Sequence, residues 1–165
     1  MHMITTLPMR AAEIIVDEAI SQAKEHNLHP LTIVVLDAGG RIVAVKSQDG
    51  SGIMRFDVAF GKAWGALGMG ISSRQIRDRL INRPVFQTAL ASASDGRLIP
   101  VPGGVLIENE KGETIGSVGV SGDTSEKDEL CAIKGIHKAG YRSEPADIDP
   151  DWTRSYLSDQ EKAKA

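Results

Sequence analysis

From Met9 to His26, apolar residues return at three- and four-residue steps: Ala12, Ile15, Val16, Ala19, Ile20 and Ala23. That spacing places one apolar stripe on an amphipathic helix. Asn27 suits a left-handed stop, and Pro30 forbids continuation. The pattern then changes to a β-branched run, Leu31-Thr-Ile-Val-Val-Leu36. Asp37-Ala-Gly-Gly40 is a turn cluster, and Arg41 to Lys46 is again strand-like, so the two runs predict an antiparallel hairpin. After a loop at Gln48–Gly52, helical spacing resumes with Phe56, Ala59, Phe60, Ala63, Trp64 and Leu67. Ser72 or Ser73 is placed to cap a short helix over 74–80. Pro84 suits the first turn of another, which ends by Ser94-Asp-Gly96.

A second β region follows. Gly104–Glu108 and Thr114–Ser121 predict strands joined by the turn Asn109-Glu-Lys-Gly112. Asp123, Thr124 or Ser125 then caps a helix that carries Leu130, Ile133, Ile136 and His137 and runs to Gly140. Beyond it, Glu144-Pro, Asp149-Pro-Asp151, Trp152, Tyr156 and Leu157 describe an acidic connector and an amphipathic end. The order helix, hairpin, helices, hairpin, helix favours an antiparallel sheet over βαβ crossovers, hence an α+β domain. The expected division is a domain over 1–141 and a tail over 142–165 that packs on the domain or on a neighbouring subunit.

Composition narrows the options. A chain of 165 residues, 41% hydrophobic and 25% charged, is one ordinary globular domain. A net charge of −3 and 4% aromatics give no electrostatic or stacking case for nucleic acid or an anionic membrane. No apolar run approaches a membrane span, and the N-terminus lacks the basic and apolar blocks of a signal peptide. The single cysteine, Cys131, forbids an internal disulfide; together these features predict a cytoplasmic location.

Four segments carry a resemblance: Val35-Leu-Asp-Ala-Gly-Gly-Arg41, Arg55 to Ala66 with Lys62-Ala63, Pro102-Gly-Gly-Val105, and Gly116-Ser-Val-Gly-Val-Ser-Gly-Asp123 followed by Asp128. Gly-Gly turns are common, but these four in this order resemble the GlcG/HbpS-like, or haem-degrading domain, family, which includes the C-terminal domain of PduO-type proteins. The resemblance covers about Pro8 to Tyr141. It implies a profilin-like, three-layer α/β/α fold with a five-stranded antiparallel sheet. It further implies homo-oligomers, dimeric or larger, and haem or a related tetrapyrrole as ligand. Pro-Gly-Gly-Val-Leu at 102–106 stands where the family more often has Gly-Gly-Val-Pro, which implies a modified loop in the same place.

Two kinds of chemistry stay open. For haem, the axial candidates are His26, His29, His137, Met54, Met69 and Cys131, with Met54, His29, His137, Gly103 and Gly104 as the cofactor-binding set. Against this, a histidine at a helix C-terminus is explained by the helix dipole, and Cys131 or Met54 by the core. For catalysis, the resemblance brings together Arg55, Asp57, Lys62, Asp128 and the Gly103-Gly104 turn. The turn would offer backbone N–H groups to an anion, Arg55 would hold a carboxylate, and a partly buried Lys62 would act as base. That set suits an accessory, lyase- or isomerase-like enzyme on a small hydroxy or keto acid. The plain alternative is an Arg55–Asp57 ion pair beside a solvated Lys62. No His-Glu-x-x-His or paired-cysteine motif predicts a metal site. Gly116-x-x-Gly119-x-x-Gly122 lies in a strand and predicts close packing of helices, not a phosphate loop.

Overall fold

A computed structural model describes residues 4–158. Helix α1 (Met9–Glu25) leads into strands β1 (Thr32–Asp37) and β2 (Ile42–Ser47). Helices α2 (Met54–Met69), α3 (Ser73–Leu80) and α4 (Pro84–Ala93) follow, then β3 (Gly104–Glu108), β4 (Thr114–Ser121), α5 (Ser125–Lys138) and β5 (Arg142–Glu144). The five strands form one antiparallel sheet in the order β2-β1-β4-β3-β5. This is the expected α+β, three-layer architecture. Among the described residues, no helix is long and apolar enough to cross a membrane.

Side-chain alternation explains the layers. Ile33 and Val35 of β1 face the core under α1 and α5, with Val105, Ile107, Val118 and Val120. Val34 and Leu36 point the other way, onto Ala59 and Ala63 of α2. Strand β1 is therefore buried on both faces, whereas the edge strand β2 is half exposed. Helix α2 seats unusually close to the sheet. A Cβ at Gly119 would overlap the Ala59 carbonyl, so backbone lies against backbone there. The expected glycine packing is thus realised at Gly119. Gly116 instead meets the Leu36 carbonyl of β1, and Gly122 the Pro30 carbonyl. Within α2, Gly61 and Gly65 are pressed by Arg97, Leu98 and Ile99, an extended segment and not a helix.

The caps follow the sequence closely. Ser72 accepts from the Gln75 N–H at the start of α3. Helix α5 begins after Thr124, but Thr124 makes no side-chain cap; Asp128 reaches back to accept the Asp123 N–H at 3.1 Å.

The sheet does not stop at residue 141. Arg142–Glu144 supply the fifth strand, and Glu144 is held by Ser72 N, Ser72 Oγ (3.2 Å) and Gln75 Nε2 (2.6 Å). Arg74 donates both to Glu129 and to the Asp147 carbonyl. A 3₁₀ turn at Trp152–Arg154 lays Trp152 edge-on against His26, with ring centroids 4.8 Å apart. The Lys127 ammonium lies 5.1 Å from the Tyr156 ring. The described part of the tail therefore packs on its own domain. Residues 159–165 lie outside the described residues.

Candidate functional site

Leaving α1, the chain turns at Asn27, whose φ of 52° is left-handed, and enters β1 through His29 and Pro30. The His29 N–H donates to Asp123 Oδ2 at 2.9 Å, tying the start of β1 to the link between β4 and α5. On the other side, Gly50 and Gly52 lead to α2, whose second residue is Arg55. Arg55 donates to Ser121 Oγ at the end of β4, at 3.3 Å. His29, Pro30, Gly50, Gly52, Arg55, Gly122 and Leu157 line an open cavity of about 290 Å³. That volume lies at the small end of ligand pockets, roughly 300–1,000 Å³.

The electrostatics favour an anion. Among the described residues no carboxylate pairs with Arg55; the nearby Asp123 is engaged by the His29 N–H and by Lys127 at 3.1 Å. The expected Arg55–Asp57 pair is not formed, and Asp57 is exposed one position beyond the apolar Phe56. Ile53 (95% exposed) and Met54 (68% exposed), the two residues before Arg55, are exposed apolar side chains. Met54 opens α2 and is not in the core.

Lys62, Asp128, Gly103 and Gly104 form a second group, away from that cavity. Lys62 is 2% exposed, not partly buried or solvated. Its Nζ donates to Asp128 Oδ2 at 2.8 Å and to the Val120 carbonyl at 2.9 Å. Burial pushes the Asp128 carboxyl above its ordinary range, against the opposing charge and hydrogen bond of Lys62. A Cβ at Gly103 would stand 2.9 Å from Lys62 Nζ, so the glycine makes room for the ammonium. The Gly104 N–H is committed to Ser73 Oγ at 2.7 Å, and Gly104 packs on the Lys62 carbonyl. The turn is closed over a buried ion pair, and the Gly104 N–H is spent on Ser73, not offered to an anion.

His137 stands apart at the exposed end of α5, its Nε2 2.9 Å from Ser143 Oγ. Burial, then the Lys134 charge, lower its pKa. Cys131 is fully buried in the α5 core, and burial raises its thiol pKa. Among the described residues no group of three or more His, Cys, Asp or Glu could hold a metal ion. Sequence reasoning missed Ser121, which fixes Arg55, and named Ser73 only as a helix cap, not as the hydroxyl that holds Gly104. Their only signal was position, one at a strand end and one at a helix start.

Comparison with known proteins matches the chain to a family. An uncharacterized 15.0 kDa protein from the dhaT-dhaS intergenic region of Citrobacter freundii is 29% identical over 129 residues, 78% of this chain and 89% of that protein. The crystal structure of a PduOC:heme complex superposes with a TM-score of 0.76 at 21% identity, covering 86% of this chain and 99% of that one. The Klebsiella pneumoniae protein ORFY superposes with a TM-score of 0.74 at 24% identity, covering 85% and 94%. These two share the fold. Residues 7–137 match the family described as haem degrading protein HbpS-like, and the chain belongs to that family.

Proposed function

We propose that this protein binds haem, or a related tetrapyrrole, at the cavity between the entry to β1 and the start of α2, as a homo-oligomer in a reducing, cytoplasmic setting. One observation carries the reading: His29 and Arg55 line the same cavity, and the exposed apolar Ile53 and Met54 directly precede Arg55 in the chain. A tetrapyrrole needs these things together. Its carboxylates seek a guanidinium with no carboxylate partner, its ring seeks apolar surface, and its metal seeks an imidazole or thioether. A cavity of about 290 Å³ would admit one edge of such a ring, and the exposed Ile53 and Met54 would offer apolar surface to the rest. A fold-level neighbour crystallised as a heme complex supports the same ligand class.

Titration of the purified protein with hemin tests this. The expected result is a Soret band that saturates at a simple ratio, weakened roughly 10-fold in Arg55→Ala, about the worth of one charge-assisted hydrogen bond. The band should shift in His29→Ala or Met54→Ala, whichever ligates, and should be unaffected in His137→Ala. Unsaturable binding, equal in all variants, rejects the site.

A second reading rests on Arg55 alone: a small hydroxy or keto acid held by its guanidinium. Enzymatic turnover there would need a base other than Lys62, which does not line the cavity. A melting-temperature screen of such acids, lost in Arg55→Ala, would favour it, because ligand binding to the native state raises stability by mass action.

A further inference from the structure

The cavity that holds His29 and Arg55 has one wall unlike the others: Leu157, from the C-terminal segment, lines it. The remaining walls are fixed by the domain. The His29 N–H is tied to Asp123 at 2.9 Å, and Arg55 to Ser121 Oγ at 3.3 Å. A Cβ at Gly122 would strike the Pro30 carbonyl, so those two walls press backbone on backbone.

The segment that delivers Leu157 is seated differently. Trp152 lies edge-on to His26, Ser155 donates to Glu126 Oε2 at 2.7 Å, and the Lys127 ammonium stands 5.1 Å from the Tyr156 ring. It runs from the end of α1, past the first turn of α5, to the cavity. None of residues 151–158 is itself buried. A segment without buried side chains opens locally at a small fraction of the global unfolding free energy. It also lies beyond residue 137, where the family match ends.

Two features make its movement a condition of binding. With Leu157 in place the cavity is about 290 Å³, small for a whole tetrapyrrole. His29 Nε2 is shielded from solvent, so a metal reaches that nitrogen only after part of the wall withdraws. We infer that residues 152–157 form a strap that closes this cavity, and that a ligand seats fully only when the strap lifts. The identity of that ligand rests on the tetrapyrrole reading; the closure does not. Strap and ligand compete for the same space, so apparent affinity falls by the fraction of molecules that are open. Lys127 meets both strap and site: it pairs at 3.1 Å with Asp123, which also holds the His29 N–H.

Two variants test this beside the parent: a chain ending at Asp149, which lacks the strap, and Trp152→Ala/Tyr156→Ala, which loosens it at full length. Stopped-flow hemin binding should be about 10-fold faster in the first, and faster by a smaller factor in the second, with dissociation unchanged. In the parent, hemin should speed trypsin cleavage after Arg154, because the bound form holds the strap open. A readout without hemin separates strap from ligand. His29 should react with diethyl pyrocarbonate at least about 5-fold faster in the shortened chain, with His137 unchanged. If no chain gives a saturable Soret band while His29 becomes reactive, the tetrapyrrole reading falls and the strap stands. Where hemin does bind, unchanged association in both variants overturns the strap, and unchanged His29 reactivity overturns it in every case. So do weaker binding and faster dissociation in the shortened chain, which would make Leu157 part of the ligand's seat.

Discussion

Lys62 and Asp128 show how one residue's surroundings decide its role. The pair is 2% and 1% exposed, lies 2.8 Å apart and is wrapped by Gly103 and the Val120 carbonyl. Desolvation makes such a pair costly to break, whatever its net worth intact. Lys62→Met should therefore cost about 3–5 kcal/mol by stranding the carboxylate. Adding Asp128→Asn, which keeps an acceptor for the Asp123 N–H, should recover most of that loss. Urea unfolding of the two single variants and the double variant measures the coupling. A Lys62→Met protein that folds normally but loses an activity would refute the structural role. The sequence pointed to both residues without pairing them, because no periodicity relates the middle of α2 to the first turn of α5. It also left the Gly103-Gly104 turn open to an anion, since nothing local announces that the Ser73 hydroxyl closes it.

The β1–β2 hairpin makes the corresponding argument for an element. Its turn is organised by the Asp37 carboxylate, which accepts from Gly39 N (2.9 Å), Arg41 N (3.0 Å) and Arg41 Nε (2.9 Å). Burial raises the Asp37 pKa, but these bonds and the Arg41 charge outweigh it and hold the carboxyl below its ordinary 3.8. A carboxyl whose folded pKa is depressed adds stability above the unfolded value and loses it as pH falls through the folded one. Asp37→Asn should thus cost about 1 kcal/mol at neutral pH, discounted because Arg41 is largely exposed. The gap to the parent should close as pH drops below 3.8, read from urea midpoints across that range. A pH-independent gap would mean that shape, not charge, holds the turn. This hairpin, α1, α2, β3 and β4 were legible because each carries its own period and stop signals. The strand at Arg142–Glu144 was not: Arg-Ser-Glu has no β-branched residue, and it is extended because it pairs with Leu106–Glu108. His29 and Arg55 were both picked out, but for different chemistries, because only the fold brings the entry of β1 to the start of α2.

At the scale of the whole molecule, one side is uncovered among the described residues. Helix α4 has no buried residue, and Val85 (84% exposed) and Ile81 (72% exposed) project from it and from the end of α3. If self-association covers this surface, Val85→Glu should lower the mass measured by light scattering, while truncation after Asp149 should not, since Trp152 packs on His26 of its own chain. An unchanged mass in Val85→Glu would move the interface elsewhere. The seat of α2 has a different bearing. With backbone against backbone at Gly119 and Ala59, a side chain at 119 would have to lift α2 off β4. The same helix carries Arg55 and Lys62, so that displacement would reach the bonds from Arg55 to Ser121 and from Lys62 to Val120 together.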